Sequence, residues 1–130
     1  EAIREEGTSY HYLPPGTRAV GDKGLLHTLE EVSRGERVHR GKIWSTDALY
    51  RETANKVRRY AQQGCLAVEM EVAALFAWGV ASGKRTGALL VVSDDLSQGV
   101  WRPSFRSPLF LAGRRRGISL MLKAIERLTS

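Results

Sequence analysis

The apolar residues of this chain recur at two spacings, one typical of helices and the other typical of strands. Helical spacing predicts four helices, over residues 22–35, 52–63, 72–82 and 111–128. Extended or continuously apolar stretches predict four strands, over residues 1–13, 37–44, 65–68 and 87–93. Strands that alternate with helices in this way imply βαβ units and therefore an α/β fold.

Three of these elements are expected to be buried. Residues 72–80 are apolar nearly all round, which predicts a buried helix. Residues 87–93 form a continuous run of Ala, Leu and Val, as in a central parallel strand that is covered on both faces. In the final helix, Gly113 and Gly117 predict a close approach to a neighbouring element. That helix is expected to bury six apolar residues: Leu111, Ile118, Met121, Leu122, Ile125 and Leu128.

Length and composition limit the class of protein. The chain has 130 residues, 42% of them hydrophobic and 26% charged, which fits one globular domain or part of one. No apolar run approaches the roughly 18 residues of a membrane-spanning helix, so no membrane partner is expected. The single cysteine, Cys65, excludes an internal disulfide framework and a cysteine-cluster metal site, and it favours a reducing compartment. The chain begins at Glu1, within a stretch that has the pattern of a structured segment, which predicts a fragment or processed piece.

The net charge of +6 raises nucleic acid as a partner, but the charges are not arranged for it. The one dense run, Arg114–Arg116, falls in a predicted helix, where neighbouring side chains are rotated by about 100°. Three consecutive arginines therefore fan around the helix and form no stripe. The arginine run is better interpreted as a basic patch that faces solvent or another subunit. Nucleic acid is therefore not an expected partner.

Acidic residues supply the candidate chemistry. Asp94 follows the predicted strand 87–93, and ligands of open α/β sheets bind beyond the carboxyl ends of strands. A structural role, in which Asp94 caps or stabilises the loop that follows it, explains its position equally well. Glu69 and Glu71 lie at the entry to an apolar helix, where carboxylates either offset the helix dipole or accept hydrogen bonds from a ligand such as a sugar. Met70 between them would add an apolar wall beside that sugar.

Trp44 is the aromatic candidate, because it ends a predicted strand before a polar Ser-Thr-Asp loop. Such a residue is more often part of the core, although a ring that faces a cleft could stack on a heterocyclic base. The three histidines show no metal-ligand spacing, and the chain has neither a G-x-G-x-x-G motif nor a P-loop.

Four segments carry recognisable motifs: GTSYHY at 7–12, GKIWSTD at 41–47, VEMEVAA at 68–74 and VVSD at 91–94. Together they resemble the nucleoside phosphorylases, in the branch that contains hexameric purine nucleoside phosphorylase, uridine phosphorylase, and methylthioadenosine phosphorylases and nucleosidases. The resemblance covers nearly the whole chain but only the C-terminal half of that family's domain. It implies a three-layer α/β fold, with a mixed sheet flanked by helices, of which residues 1–130 form the C-terminal part.

The resemblance also implies roles for the candidate residues. Glu71 is similar to the carboxylate that binds the ribose hydroxyls, and Met70 is similar to the residue that lines the sugar. Glu69 is similar to a residue that makes a second polar contact in the same cleft. Trp44 falls where the family places an aromatic residue against the base.

Asp94 resembles the acid that protonates or hydrogen-bonds a purine at N7. Arg106 is the candidate for the arginine that assists it, with Arg102 as the alternative. The family's glycine-rich phosphate loop lies in the N-terminal half, so this chain is expected to hold no phosphate-binding residues. It is also expected to need no metal and no cofactor besides inorganic phosphate as co-substrate.

The implied activity is phosphorolysis of a nucleoside to free base and ribose 1-phosphate. Purines are mildly favoured over uridine, because Asp94 suits N7 and because residues 48–53 lack an evident Gln…Arg pair for the uracil edge. Two alternatives stay open: a nucleosidase that uses water, and a non-catalytic basic binding module. The family further implies a cytoplasmic homo-oligomer built from dimers and often hexameric.

Overall fold

The structure, a computed structural model, describes all 130 residues. The chain divides into two compact units, one formed by residues 1–22 and 40–88 and the other by residues 23–39 and 89–130. The first unit holds a sheet and two helices, and the second holds two helices and a short hairpin. Strands and helices alternate along the first unit, which confirms the predicted α/β class.

A three-stranded parallel sheet forms the centre of the first unit. Its strands are β1 (Ala2–Glu5), β2 (Lys42–Thr46) and β3 (Cys65–Glu69), which lie side by side in that order. Ile3 is aligned with Trp44 in β2. Because all three strands run in one direction, their carboxyl ends share one edge of the sheet.

Two helices follow the strands of this unit, α2 (Ala54–Gln62) after β2 and α3 (Val72–Ser82) after β3. The Thr53 side chain caps α2 by accepting a hydrogen bond from the Lys56 N–H at 3.4 Å. Gly83 ends α3 in the left-handed conformation, at a φ of 63°, which a glycine adopts without strain.

One side of α3 packs on the sheet and forms the core of the first unit. The buried cluster consists of Ala2, Ala19, Val72, Ala73 and Phe76, with Ile43 and Ala88 packed against it. The opposite side of α3 is open, since Leu75 and Trp78 are each more than 40% exposed. Val80, near the C-terminal end of the helix, is 46% exposed as well. The prediction that this helix is buried all round is therefore wrong: the sheet covers only one of its faces.

The second unit is built from α1 (Lys23–Val32), α4 (Pro108–Thr129) and a hairpin of β4 (Asp94–Asp95) and β5 (Arg102–Pro103). The helices α1 and α4 pack on each other. Only Leu120 and Ala124 are buried in α4. The six residues predicted to be buried there are 37–61% exposed, so that prediction is wrong.

Three predicted strands also differ from the structure. Residues 87–93 belong to no strand, because their backbone takes part in only one hydrogen bond, which the Ser93 carbonyl accepts from the Ser104 N–H at 2.9 Å. The strand predicted over 37–44 begins later, at Lys42, after an irregular stretch. The first 13 residues are only partly extended, because β1 is followed by a 3₁₀ turn over Thr8–His11.

Two ion pairs connect the α1 region to α4. Arg127 Nη2 lies 2.8 Å from Glu31 Oε2 in α1. Beyond the end of α1, Glu36 accepts a hydrogen bond from Arg116 Nε at 2.9 Å. The Arg116 guanidinium holds the pKa of Glu36 below its usual value.

The pair between Glu36 and Arg116 should make stability depend on pH in acid solution. Because the pKa of Glu36 is lowered by folding, its contribution is complete above about pH 5 and is lost as the pH falls through the folded-state pKa. The chain should therefore melt at a higher temperature than Glu36→Gln near neutral pH, and this difference should shrink in acid. Thermal melts followed by circular dichroism, at several pH values from about pH 7 to about pH 3, measure this difference in melting temperature.

The matched control is Glu126→Gln, which removes an α4 carboxylate that makes no ion pair. Its melting temperature should differ little from that of the unchanged chain at every pH. An effect of Glu36→Gln that stays constant with pH would contradict the assigned role of this ion pair.

Candidate functional site

Acidic and hydroxyl side chains gather at the carboxyl ends of the parallel strands. Glu5 ends β1 and is followed by Glu6, Thr46 ends β2 and is followed by Asp47, and Glu69 ends β3. Asp47 Oδ2 accepts a hydrogen bond from the Gly7 N–H at 2.9 Å, which connects the ends of β1 and β2. This edge is where ligands of α/β sheets bind.

Glu69 is fixed by hydrogen bonds inside the protein. Its Oε2 accepts from the backbone N–H of Glu71 at 2.6 Å and of Val72 at 2.7 Å, so it caps the start of α3. Its Oε1 accepts a hydrogen bond from Ser45 Oγ, and Ser45 Oγ accepts from the Ala73 N–H at 2.9 Å. The Glu69 carboxylate and the buried Ser45 hydroxyl thus join β2, β3 and α3 at one point.

Glu71 has the opposite character. It is exposed, and its carboxylate makes no hydrogen bond or ion pair. Met70, between the two glutamates, is 43% exposed. The fold therefore engages the first carboxylate of the Glu-Met-Glu motif and leaves the second available to a ligand.

Trp44 lies in the core of the first unit. It is 2% exposed, and its ring stacks on Tyr60 of α2 with 4.4 Å between ring centroids. Its indole Nε1 donates to Glu5 Oε2 at 2.6 Å, and the other oxygen of Glu5 forms an ion pair with Lys56. Burial raises the pKa of the Tyr60 hydroxyl. A contact of Trp44 with a base stays a prediction, which would require the ring to be uncovered.

The loop after β2 carries an aromatic residue that the sequence did not single out. Tyr50, in the short 3₁₀ turn Leu49–Arg51, is 97% exposed. Its position directly after a strand and a polar loop is the signal that would have identified it. It is the most exposed large hydrophobic residue of the chain.

The loop after β1 is organised by Arg4, whose role the sequence also did not reveal. Its guanidinium donates to the backbone carbonyls of Leu13, Pro14 and Thr17 at 2.6–2.9 Å, and to Ser9 Oγ at 2.8 Å. Glu6, two residues after Arg4, is buried, and its Oε2 accepts a hydrogen bond from the Ser9 N–H. Its Oε1 has no hydrogen-bond partner.

Asp94 and Arg106 belong to the second unit. Asp94 accepts hydrogen bonds at both oxygens, from Trp101 Nε1 at 2.6 Å and from Ser93 Oγ at 2.5 Å. Arg106 lies exposed before α4 and makes no hydrogen bond or ion pair. The alternative, Arg102, pairs in register with Asp95 in the hairpin. Hydrogen bonds from Ser97 lower the pKa of Asp95.

No group of three or more His, Cys, Asp or Glu side chains is placed to hold a metal ion. None of the helices combines the length and the apolar character needed to cross a membrane.

The Ser45 hydroxyl should be a major stabilising group, because Ser45→Ala would leave the Ala73 N–H and one oxygen of Glu69 without partners in the protein. Unsatisfied buried groups of this kind cost about 1–3 kcal/mol each. Urea denaturation should show a loss of that size, and amide exchange should accelerate at Val72 and Ala73. The control is Ser82→Ala, which removes an exposed helical hydroxyl bonded to the Trp78 carbonyl and should change stability by no more than about 0.5 kcal/mol. Equal small effects of the two variants would contradict the role of Ser45.

Comparison with known proteins gives several related sequences. A guanosine phosphorylase of Halorubrum lacusprofundi is 37% identical over 100 residues, which are 75% of this chain and 42% of that protein. A DeoD-type purine nucleoside phosphorylase of Alkaliphilus metalliredigens is 41% identical over 91 residues, which are 70% of this chain and 34% of that protein. The chain thus spans less than half the length of these curated relatives.

Solved structures share the fold. An AMP nucleosidase from Bacteroides thetaiotaomicron has a TM-score of 0.73 and 27% identity, over 99% of this chain and 53% of its own. A purine nucleoside phosphorylase from Toxoplasma gondii has a TM-score of 0.84 and 21% identity, over 98% of this chain and 53% of its own. The model of the phosphorylase superfamily matches residues 1–107. This chain therefore belongs to the phosphorylase superfamily.

Proposed function

We propose that this chain supplies the nucleoside-binding part of a purine nucleoside phosphorylase. The observation that carries the proposal is Glu71, an exposed carboxylate without a partner at the ligand-binding edge of a parallel sheet. The names of the relatives, a guanosine phosphorylase and a purine nucleoside phosphorylase, support purine nucleosides as the substrate class.

Glu71 would accept hydrogen bonds from the ribose hydroxyls. A carboxylate accepts from two neighbouring hydroxyl groups at once, and charged acceptors make the stronger hydrogen bonds. The backbone that carries Glu71 is held by the Glu69 cap, so only the exposed side chain has to be ordered when the sugar binds. Met70, which is partly exposed beside it, supplies an apolar surface for the sugar ring.

Two further contacts belong to the proposal but need a rearrangement. The polar atoms of Glu69 and Trp44 are engaged within the protein, by the start of α3 and by Glu5 respectively. Direct contact with the nucleoside would exchange those bonds for bonds to the ligand. Without such an exchange, both residues act indirectly, by holding β2 and the end of β3 in position.

The reaction requires help at the leaving base. As the N-glycosidic bond breaks, its electron pair moves to the base, while an oxygen of inorganic phosphate bonds to the anomeric carbon from the opposite face. The products are the protonated base and ribose 1-phosphate. Asp94 would donate a proton or a hydrogen bond at N7 of a purine, with Arg106 assisting, and general acid catalysis of this kind contributes about 10²–10⁴-fold.

A nucleosidase that uses water in place of phosphate is the second candidate. The likeness to an AMP nucleosidase favours it, since that protein has the same fold and is 27% identical. In either case we propose a cytoplasmic homo-oligomer built from dimers. The phosphate-binding residues are proposed to lie outside these 130 residues, in the part of the superfamily domain that the chain does not match.

Dependence on phosphate separates the two candidates. The polypeptide that the gene encodes is purified and incubated with guanosine, inosine or uridine, with and without inorganic phosphate. A phosphorylase releases the base only when phosphate is present and forms one ribose 1-phosphate per base. We expect this result, with purine nucleosides cleaved faster than uridine. Equal release without phosphate, with free ribose as product, would instead establish the nucleosidase.

Asp94→Asn in the same protein tests the proposed acid. The substitution keeps an oxygen that can accept from Trp101 but removes the acid, so kcat for guanosine should fall by about 10²-fold or more with a much smaller change in KM. The matched control is the adjacent Asp95→Asn, which neutralises an exposed carboxylate bonded to Ser97. A similar kcat in both variants would remove Asp94 from the proposed mechanism.

A further inference from the structure

Ser45 carries a buried hydroxyl at the ligand-binding edge of the sheet. It lies on β2, in register with Glu69 of β3, and it is 0% exposed. A side chain in this position cannot itself contact a nucleoside. Its hydroxyl is nevertheless connected to Glu71, the proposed ribose contact, through the hydrogen bonds of Glu69.

The Ser45 hydroxyl uses its proton and its oxygen for different partners. Its O–H donates to Glu69 Oε1, and its oxygen accepts from the Ala73 N–H at 2.9 Å. A hydroxyl has only one proton to donate, so the donor of Ser45 is committed to Glu69. Ser45 is therefore placed to control how the Glu69 carboxylate is turned.

The rotation of that carboxylate matters for Glu71. The last torsion of a glutamate side chain has broad minima, so a carboxylate that is held at only one oxygen can turn. With Oε1 held by Ser45, Oε2 faces the backbone N–H groups of Glu71 and Val72, at 2.6 Å and 2.7 Å. The bond to the Glu71 N–H in turn holds the backbone from which the free Glu71 carboxylate projects.

We propose that Ser45 is a positioning residue for recognition of the ribose. Acting through Glu69, it holds the Glu71 backbone where the carboxylate can accept hydrogen bonds from the sugar hydroxyls. This inference rests on the proposed function and extends it to a residue that the nucleoside does not touch. Binding is weaker when a ligand has to order the backbone that contacts it, and Ser45 reduces that ordering.

A purely structural role of Ser45 predicts a different result. Loss of the hydroxyl also destabilises the fold, because the Ala73 N–H and one oxygen of Glu69 lose their partner. Destabilisation lowers the amount of active protein and affects every nucleoside alike. A positioning role instead changes the preference for a sugar that carries hydroxyl groups.

The test compares guanosine with 2′,3′-dideoxyguanosine, whose sugar has no hydroxyl at the positions that Glu71 would bind. The polypeptide that the gene encodes is assayed with inorganic phosphate, and kcat/KM for guanosine is divided by kcat/KM for the dideoxy compound. The concentration of active protein cancels in this ratio. The ratio should be at least about 10 in the unchanged protein, as expected for hydrogen bonds to a charged group, and Ser45→Ala should lower it at least about fivefold.

Two further variants complete the test. Ser45→Cys is close to serine in size but is a weak donor, so it should lower the ratio as well and serves if Ser45→Ala does not fold. The control is Phe76→Leu, which removes part of a buried ring from the core side of α3. It lowers stability without removing any bond of Glu69, and it should leave the ratio unchanged.

The possible results separate this inference from the proposed function. If the protein prefers guanosine and the Ser45 variants keep the full preference, the positioning role is wrong and the proposed function stands. An equal fall of the ratio in Phe76→Leu would assign the effect to destabilisation and would also overturn the role. Equal cleavage of both nucleosides by the unchanged protein would overturn it too, while leaving the activity in place. If neither nucleoside is cleaved, the proposed function fails and the positioning role fails with it.

Discussion

The carboxylate of Glu69 is the constraint on which the first unit depends. The helix α3 starts with backbone N–H groups that no earlier turn can satisfy, and the Glu69 carboxylate and the Ser45 hydroxyl accept hydrogen bonds from three of them. Ser45 lies on β2 and Glu69 ends β3, so one network sets the register of two strands and the position of a helix. Because α3 carries much of the buried core, the packing of the sheet follows from that position.

The same network separates the roles of two glutamates that are two residues apart. Glu69 is used by the fold, and its bond to the Glu71 N–H orients the backbone from which the second carboxylate projects. The Glu71 carboxylate itself makes no hydrogen bond or ion pair within the protein. A ligand that binds the carboxylate has to order only the Glu71 side chain, because the backbone that carries it is already held.

Local patterns predicted the local structure well. The helices α1 and α2 and the strand β3 lie close to their predicted places, because their apolar spacing and glycine stops depend on near neighbours alone. The roles of residues at the site depended on distant partners and were not visible. Glu69 and Glu71 look alike in the sequence until Ser45, 24 residues away, is found bonded to one of them. Likewise the predicted strand ends at Trp44 before a polar loop, as suits a base contact, but β2 continues to Thr46. Tyr60 and Glu5 enclose the Trp44 ring.

The failed predictions of burial share one cause. An apolar pattern indicates that a residue suits a buried environment, but whether the residue is covered depends on which distant elements pack against it. Residues 87–93 have the pattern of a central strand and α4 has the pattern of a covered helix, yet both are open here. Gly113 and Gly117 were predicted to allow a close approach of α4 to a neighbouring element. That contact is present, and it joins α4 to Val91 in this same stretch. These two elements therefore pack on each other along one side, at Val91, and leave their remaining apolar side chains exposed.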